Sequence, residues 1–284
     1  NGMVQLGPTS IPNTWDFCTG YHDSDSTVIG FSHTHLSGTG MPEMFDLTVM
    51  PVVGTDLTYA RGNTDDQNSG LWSYADRSRE INVPGYYSVP LLRYGIIAEM
   101  TATCRVGFQR FTFPKSDEAA IVFDMENGDG GVMDVLTGCL IEKISDTQLR
   151  GWRKSTGWAD RGWAREDNQI VYFHAEFSEP FDSFELIDGK YGRADFNTKE
   201  GEQIMLKVAL SYKSMEGARL NMDIKPEYLP ISAEQTAFFE EVVKRYDPEN
   251  CVERIDVTKL YEEEFAGSPN ESAYCSPYTL IRLL

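Results

Sequence analysis

The sequence predicts a mainly β protein built as a large antiparallel β-sandwich, with a short helical segment near its carboxyl end. Three observations favour this class. Short runs rich in Val, Ile and Phe recur through most of the 284 residues, and clusters of Gly, Pro, Asn and Asp separate them. Helical periodicity is almost absent before residue 230. The sequence has no repeat of fixed period, so a propeller is disfavoured.

The predicted strands follow one another along the chain and are bounded by turn-forming residues. Some alternate apolar with polar residues, as Phe108-Gln109-Arg110-Phe111 does in part, and others are short apolar runs. Many short strands with frequent turns are typical of a sandwich. Examples of the predicted strands are residues 45–52, 86–92, 96–103, 108–113, 119–124, 132–144, 170–177 and 204–212.

A change of pattern after Pro226 divides the chain into a predicted sandwich domain, residues 1–226, and a tail, residues 227–284. Ser232 and Gln235 have the form of a helix capping box. Apolar residues then follow at helical spacing until Pro248 ends the run. We interpret this segment as an amphipathic helix that lies on the sandwich, in preference to a linker or docking element.

Composition excludes several classes of function. The formal net charge of −19 argues against nucleic acid and anionic membrane surfaces as partners and favours a neutral ligand. No apolar run approaches the roughly 18–20 residues of a membrane helix, and the first residues do not form a signal peptide. The five cysteines are odd in number and widely spaced, so neither a zinc site nor a disulfide framework is predicted.

The segment Gly-Phe-Ser-His-Thr-His-Leu-Ser-Gly-Thr-Gly at residues 30–40, called the 30–40 motif, is the most informative stretch of the chain. Its histidines, hydroxyls and glycines suit the binding of a polyol or a metal, although turn chemistry explains such a loop equally well. His33 and His35 would share one face of a strand. No Cys or carboxylate completes a ligand spacing beside them, so no metal site is predicted.

Aromatic and acidic residues precede the 30–40 motif. Trp15, Tyr21 and His22 beside Asp16 could bind a sugar by covering its C–H surface with aromatic faces and holding its hydroxyls with polar groups. Trp15 could equally be a core anchor.

A second stretch has the same ambiguity, since it fits a sugar-stacking surface or, as we prefer, a loop packed on the sheet. It contains Trp152, Trp158 and Trp163 with Arg153, Arg161 and Arg165 interleaved.

Motifs for nucleophilic hydrolases, phosphate loops and dinucleotide binding are absent from the sequence. Acidic pairs for glycoside hydrolysis cannot be nominated, because the chain holds 44 Asp and Glu residues and the decisive quantity is a distance in space.

Several segments, with the 30–40 motif foremost, resemble the amino-terminal domain of glycoside hydrolase family 92, a family of calcium-dependent, inverting exo-α-mannosidases. The resemblance extends in order over residues 1–225. The matching segments are residues 2–6, 20–22, 24–25, 30–40, 84–89, 98–103, 105–108, 171–177 and 216–221.

The resemblance implies a supersandwich of the galactose-mutarotase type, followed in the whole enzyme by an (α/α)-barrel. The active site would lie between the two domains. The catalytic acid, the base and the calcium ligands would come mainly from the barrel, so no catalytic or metal residue is assigned in this chain. The implied substrates are α-mannoside glycans with α-1,2 linkages, and the implied location is secreted or periplasmic in a bacterium. The residues implied to line the mannose cleft are Trp15, Gly20, Tyr21, His22, His33 and His35.

About sixty residues follow the matching region, too few for the barrel. We therefore expect the chain to bind sugar and dock a barrel without hydrolysing anything by itself. The alternatives are a carbohydrate-binding module that acts alone and a truncated relic without activity. Burial of His33 and His35 beneath the tail would favour the relic.

Overall fold

The computed structural model describes residues 3–11, 20–22, 24–35, 44–126, 135–156 and 169–222. These residues form sixteen β-strands and one α-helix. Two short 3₁₀ turns, Gln67–Ser69 and Arg77–Arg79, lie between β4 and β6. The elements are β1 (Gly7–Thr9), β2 (Thr27–Val28), β3 (Gly30–Ser32), β4 (Thr48–Val53), β5 (Ser73–Tyr74), β6 (Ile81–Val83), β7 (Tyr86–Leu91), β8 (Ile96–Ala102), β9 (Val106–Phe113), β10 (Ser116–Asp124), β11 (Val135–Lys143), β12 (Gln148–Thr156), β13 (Gln169–Phe177), β14 (Ser183–Ile187), β15 (Tyr191–Thr198), β16 (Glu202–Ser211) and α1 (Met215–Met222).

Most of the strands belong to two antiparallel sheets. One sheet has eight strands in the order β11-β12-β13-β16-β9-β8-β7-β6, and the other has six in the order β1-β3-β4-β10-β15-β14. Strands β2 and β5 form a separate two-stranded ribbon. This architecture confirms the predicted mainly β antiparallel sandwich. In the described ranges, no helix is long and apolar enough to cross a membrane.

Aromatic side chains from both sheets fill the space between them. Phe123 on β10 stacks on Phe173 of β13 with 5.9 Å between ring centroids. Phe31 on β3 lies 6.2 Å from Phe111 of β9. All four rings are at most 1% exposed. Because side chains alternate between the two faces of a strand, these contacts identify the inward face of each sheet.

The outer face of the six-stranded sheet is buried as well. Val122 pairs with Met50 and Arg193, one position out of step with Phe123, so these side chains point away from the eight-stranded sheet. Met50 and Val122 are nevertheless 0% exposed. Tyr59, from the connection after β4, lies on this face and accepts a hydrogen bond of 3.2 Å from Arg193 Nη1. Burial on both faces explains why residues 119–123 are a continuous apolar run.

Helix α1 packs on the outer face of the eight-stranded sheet. Its last residue, Met222, joins a buried cluster that includes Phe108 of β9. The side-chain amide of Asn221 fixes the helix through two hydrogen bonds, one donated by its nitrogen and one accepted by its oxygen. Asn221 Nδ2 donates to the carbonyl of Leu210 at 2.7 Å, and Arg105 Nη1 donates to Asn221 Oδ1 at 3.1 Å. The helix is thereby tied to the strand that precedes it.

Each of the eight predicted strands overlaps a strand of the structure, namely β4, β7, β8, β9, β10, β11, β13 and β16. Three strands of five or more residues, β12, β14 and β15, were not among those predicted. Arg153 interrupts the apolar pattern of β12, and Arg193 and Asp195 interrupt that of β15. The helix predicted from Ser232 and the domain division at residue 226 lie outside the described residues and stay predictions.

Replacing Phe123 with alanine should lower the free energy of unfolding by about 3–5 kcal/mol, because it removes a fully buried ring and leaves a cavity between the sheets. Urea unfolding followed by tryptophan fluorescence measures the change. The control is Leu186→Ala on the edge strand β14, where the side chain is 45% exposed and the expected change is within about 0.5 kcal/mol. Equal losses for the two variants would contradict the assigned core.

Candidate functional site

The 30–40 motif begins on β3 and leaves it at one end of the sandwich, which we call the motif end. Strand β10 ends beside the start of β4, because Asp124 pairs with Thr48. In the other sheet, β12 ends where β13 begins, and Ser155 pairs with Gln169. The strands at this end are therefore joined by three connections, residues 36–43, 127–134 and 157–168.

His33 is a fully buried side chain with a hydrogen bond at each ring nitrogen. Nδ1 lies 2.7 Å from the carbonyl oxygen of Leu47, and since that oxygen can only accept, Nδ1 carries the proton. Nε2 then accepts from Gln109 Nε2 at 3.2 Å. A Cβ on Gly107 would lie 3.0 Å from the imidazole, so the ring packs directly on the backbone of β9.

His35 is held in the same way. Its Nδ1 donates to the carbonyl oxygen of Gln5 at 2.7 Å, and Thr9 Oγ1 lies 3.4 Å from Nε2. The ring of Phe45 meets it edge-on with centroids 5.1 Å apart. Gly20 packs against both rings, where it has a φ of +83° and a Cβ would lie 2.8 Å from the Phe45 ring and 3.0 Å from the His35 imidazole. Glycine is required there for conformation and for space.

Both histidines are neutral in the folded protein at neutral pH. Burial lowers the pKa of His33 and of His35 to about 4, because a charged ring loses more hydration inside the sandwich than its hydrogen bonds return. Each neutral ring has one donor and one acceptor, which match its two partners. The histidines therefore brace the first half of the 30–40 motif from inside.

Asp46, just before β4, forms a buried ion pair with Arg153 of β12. The two side chains are 0% and 1% exposed, and Asp46 Oδ1 lies 2.6 Å from Arg153 Nη1. Gln169 Nε2 and Thr34 Oγ1 donate to Asp46 Oδ2 at 2.6 and 2.9 Å. Arg153 Nε donates to the carbonyl of Met125 at 2.8 Å. This network joins the two sheets at the motif end and holds Thr34 between the two histidines.

Tyr21 and His22 are half-buried and follow Gly20 along the chain. The ring of Tyr21 stands edge-on to Tyr87 with 6.0 Å between centroids, and its hydroxyl accepts from Asn82 Nδ2 at 3.1 Å. Burial raises the pKa of this phenol. His22 Nδ1 lies 2.7 Å from Ser24 Oγ. These two side chains give the motif end an aromatic and polar rim.

The structure thus brings five of the six predicted site residues together. His35 contacts Gly20, and it lies close enough to His33 to lower the pKa of the His33 ring. Trp15 lies outside the described residues, as do Trp158 and Trp163. Sugar contact by any of the six stays a prediction, and the partial exposure of Tyr21 and His22 makes them the accessible pair.

The sequence analysis missed Asp46, Gln109 and the role of Arg153, which it placed in a Trp- and Arg-containing loop. No local signal identifies this arginine, since its partner lies 107 residues away. His33 and His35 contact Gln109, Gly107 and Gly20 of the sandwich itself. The tail lies outside the described residues, so its burial of the two histidines, and with it the relic hypothesis, stays a prediction.

Among the residues that the structure describes, no group of three or more His, Cys, Asp or Glu side chains could hold a metal ion. The most deeply buried carboxylate at the motif end, Asp46, is engaged by Arg153, Gln169 and Thr34. The described residues therefore do not fit a calcium site, for which several oxygen ligands must converge.

Comparison with known proteins gives a consistent family. The Glycosyl hydrolase family 92 N-terminal domain matches residues 1–224. An uncharacterized secreted glycosidase of Arthroderma benhamiae is 34% identical over 105 residues, which are 34% of this chain and 12% of that protein.

Solved structures agree. A family GH92 alpha-mannosidase from Bacteroides thetaiotaomicron has a TM-score of 0.70 and 29% identity over 84% of this chain and 34% of its own. The structure of this alpha-mannosidase in complex with mannoimidazole has a TM-score of 0.70 and 30% identity, over 84% of this chain and 33% of its own. A family GH92 inverting mannosidase of the same organism, at 20% identity and a TM-score of 0.61 over 84% and 31%, shares the fold. The chain spans about a third of the length of these solved relatives.

Replacing Asp46 with asparagine should lower the free energy of unfolding by about 3–5 kcal/mol, because Arg153 stays buried without its counter-charge. The double variant Asp46→Leu/Arg153→Met should recover part of that loss. Urea unfolding measures both. Glu142→Gln, which breaks an ion pair with Arg150 whose side chains are 40% and 47% exposed, is the control and should cost less than about 1 kcal/mol. A cost for Asp46→Asn no larger than this control would refute a central role for the pair.

Acid should destabilise the fold as the two histidines become charged. Their pKa of about 4 in the folded protein lies below the value of about 6.5 in an unfolded chain. The unfolded chain therefore takes up protons first. The contribution of the two neutral histidines to stability is therefore present above about pH 6.5. The free energy of unfolding falls as the pH drops toward 4, by up to about 3 kcal/mol for each histidine.

Two measurements check this. The imidazole NMR signals of His33 and His35 should keep their neutral positions down to about pH 5, and the urea midpoint should fall between pH 6.5 and 4.5. Titration of both signals near pH 6.5 would contradict the buried, neutral assignment.

Proposed function

The chain belongs to glycosyl hydrolase family 92 as its N-terminal domain, and from this premise we propose that it supplies the sugar-binding and domain-docking part of an α-1,2-mannosidase. The family match over residues 1–224 supports this. So does the similarity to a Bacteroides thetaiotaomicron alpha-mannosidase whose structure holds mannoimidazole. The substrate class proposed for the whole protein is α-mannoside glycans.

The observation that carries the proposal is the convergence of Gly20, Tyr21 and His22 on the braced half of the 30–40 motif. Gly20 lies against the buried ring of His35, and the rim residues Tyr21 and His22 follow Gly20 directly in the chain. An aromatic ring beside polar groups suits a sugar, whose C–H surface and hydroxyls need both kinds of contact. We assign sugar contact to Tyr21 and His22, and support of that rim to His33 and His35.

Hydrolysis is assigned to residues outside this chain. Inverting glycosidases need a carboxylic acid and a carboxylate about 6.5–9.5 Å apart with room for water between them. Asp46 does not suit either task, because it is 0% exposed and paired with Arg153. We propose that the acid, the base and the calcium ligands belong to an (α/α)-barrel domain of the whole enzyme.

Export from the cell is part of the proposal. The fungal relative carries the word secreted in its name, and extracellular or periplasmic glycans are the substrates that an exo-mannosidase of this family would meet. A carbohydrate-binding module that acts alone would use the same rim, and the experiment below separates the two.

The isolated chain should show no turnover of α-1,2-mannobiose, with or without calcium, because the proposal places the carboxylates that transfer protons on the barrel domain. Calorimetric titration should give little or no heat at millimolar disaccharide. A cleft with only one of its two walls loses most of its contacts with the sugar and does not exclude water. Addition of a separately produced family 92 barrel domain should restore turnover.

The outcomes separate the hypotheses. Robust turnover by the chain alone would refute the assignment of catalysis to the barrel. Clear heat that Tyr21→Ala abolishes and Leu186→Ala preserves would favour the independent binding module. Absence of turnover after barrel addition, under conditions in which the two domains associate, would favour the relic.

A further inference from the structure

Arg77 connects the rim of the motif end to the eight-stranded sheet. It begins the 3₁₀ turn Arg77–Arg79, and its side chain reaches a segment more than fifty residues earlier. Nε donates to the carbonyl oxygen of Asp25 at 2.7 Å, and Nη2 donates to the carbonyl oxygen of His22 at 3.3 Å. One planar guanidinium therefore holds the backbone at both ends of the turn formed by residues 22–25.

The same guanidinium also holds the aromatic part of the rim. Its carbon lies 4.9 Å from the centroid of the Tyr21 ring, a distance at which a cation is attracted to an aromatic face. Tyr21 is thus fixed on three sides, by Arg77 over its face, by Tyr87 at its edge and by Asn82 at its hydroxyl.

Glu80 keeps Arg77 in place. Arg77 Nη1 lies 2.5 Å from Glu80 Oε1, and the two side chains are only 20% and 11% exposed. The hydroxyl of Tyr87 lies 3.5 Å from the same nitrogen. An ion pair so little exposed is weakly screened by salt, so it orients the guanidinium toward the 22–25 turn. Glu80 immediately precedes β6 and Tyr87 lies within β7, so these two strands at the edge of the eight-stranded sheet carry this anchor.

We propose that Arg77 is the positioning residue of the Tyr21–His22 rim, the part of the chain to which the proposed function assigns mannoside contact. Arg77 acts through Tyr21 and His22 and does not touch the sugar. The assignment rests on the proposed function only for the identity of the ligand. Lysine cannot replace arginine here, because an ammonium lacks the planar fork that holds two carbonyls and covers a ring at once.

The test compares Arg77→Lys with Arg79→Lys. Arg79 lies in the same 3₁₀ turn and is exposed, so its replacement changes the same chemistry without touching the rim. The protein has four histidines, whose ring C–H signals are resolved by NMR on ¹³C-histidine-labelled chain and assigned by single His→Gln variants. Arg77→Lys should shift the signal of His22 and leave those of His33, His35 and His174 in place. Arg79→Lys should shift none.

Movement of the His22 signal alone supports the proposal, whereas movement of none or of all four overturns it. The second readout is titration with α-1,2-mannobiose, on the full chain supplemented with a family 92 barrel domain. Arg77→Lys should weaken binding about ten-fold and Arg79→Lys should not. Equal affinity of both variants also overturns the proposal. Failure of the native assembly to bind the disaccharide counts against the proposed function, and the NMR comparison still decides the role of Arg77.

Discussion

The buried ion pair between Asp46 and Arg153 is the interaction on which the motif end depends. Two charges at most 1% exposed are tolerated inside a protein only when every neighbouring polar group is arranged to receive them. That requirement brings Gln169 from β13 and Thr34 from the 30–40 motif to the same carboxylate. The ends of the two sheets are thereby held in a fixed relation, and Thr34 is held in place just after β3.

Polar residues at this end divide into an inner and an outer group. His33 and His35 are neutral, face inward and satisfy backbone carbonyls. Tyr21 and His22 are half-exposed and lie at the rim, where Arg77 links them to β6 and β7 through Glu80. The inner group supplies rigidity and the outer group supplies surface. A binding site built on rigid strands holds its contacts more accurately than one built on loops alone, and supporting the rim in this way is the role that the proposed function gives to the buried polar network.

The sequence analysis predicted the strands well where burial leaves a local trace. Residues 119–124 lie within β10 as expected, because the part of this strand that is covered on both faces contains the continuous apolar run 119–123. It failed on β12, where Arg153 and its charged neighbours look like a surface loop. Nothing near Arg153 in the chain shows that the residue is buried, since the reason is a carboxylate 107 residues away. The candidate site followed the same rule. Its residues were proposed from residue chemistry and from the resemblance, whereas Asp46, Gln109 and Arg77 were not assigned to it.

The sequence by itself determined the mainly β class, the position of most core strands and, through the 30–40 motif, membership of the family. These depend on hydrophobic pattern and on motif identity, which are properties of neighbouring residues. Only the tertiary structure decided which polar side chains line a surface and which brace it. His33 and Tyr21 look equally suited to a sugar in the sequence, yet one is fully buried and the other lies at the rim. The burial and partners of a polar group are set by distant segments that fold against it, so no local pattern can reveal them.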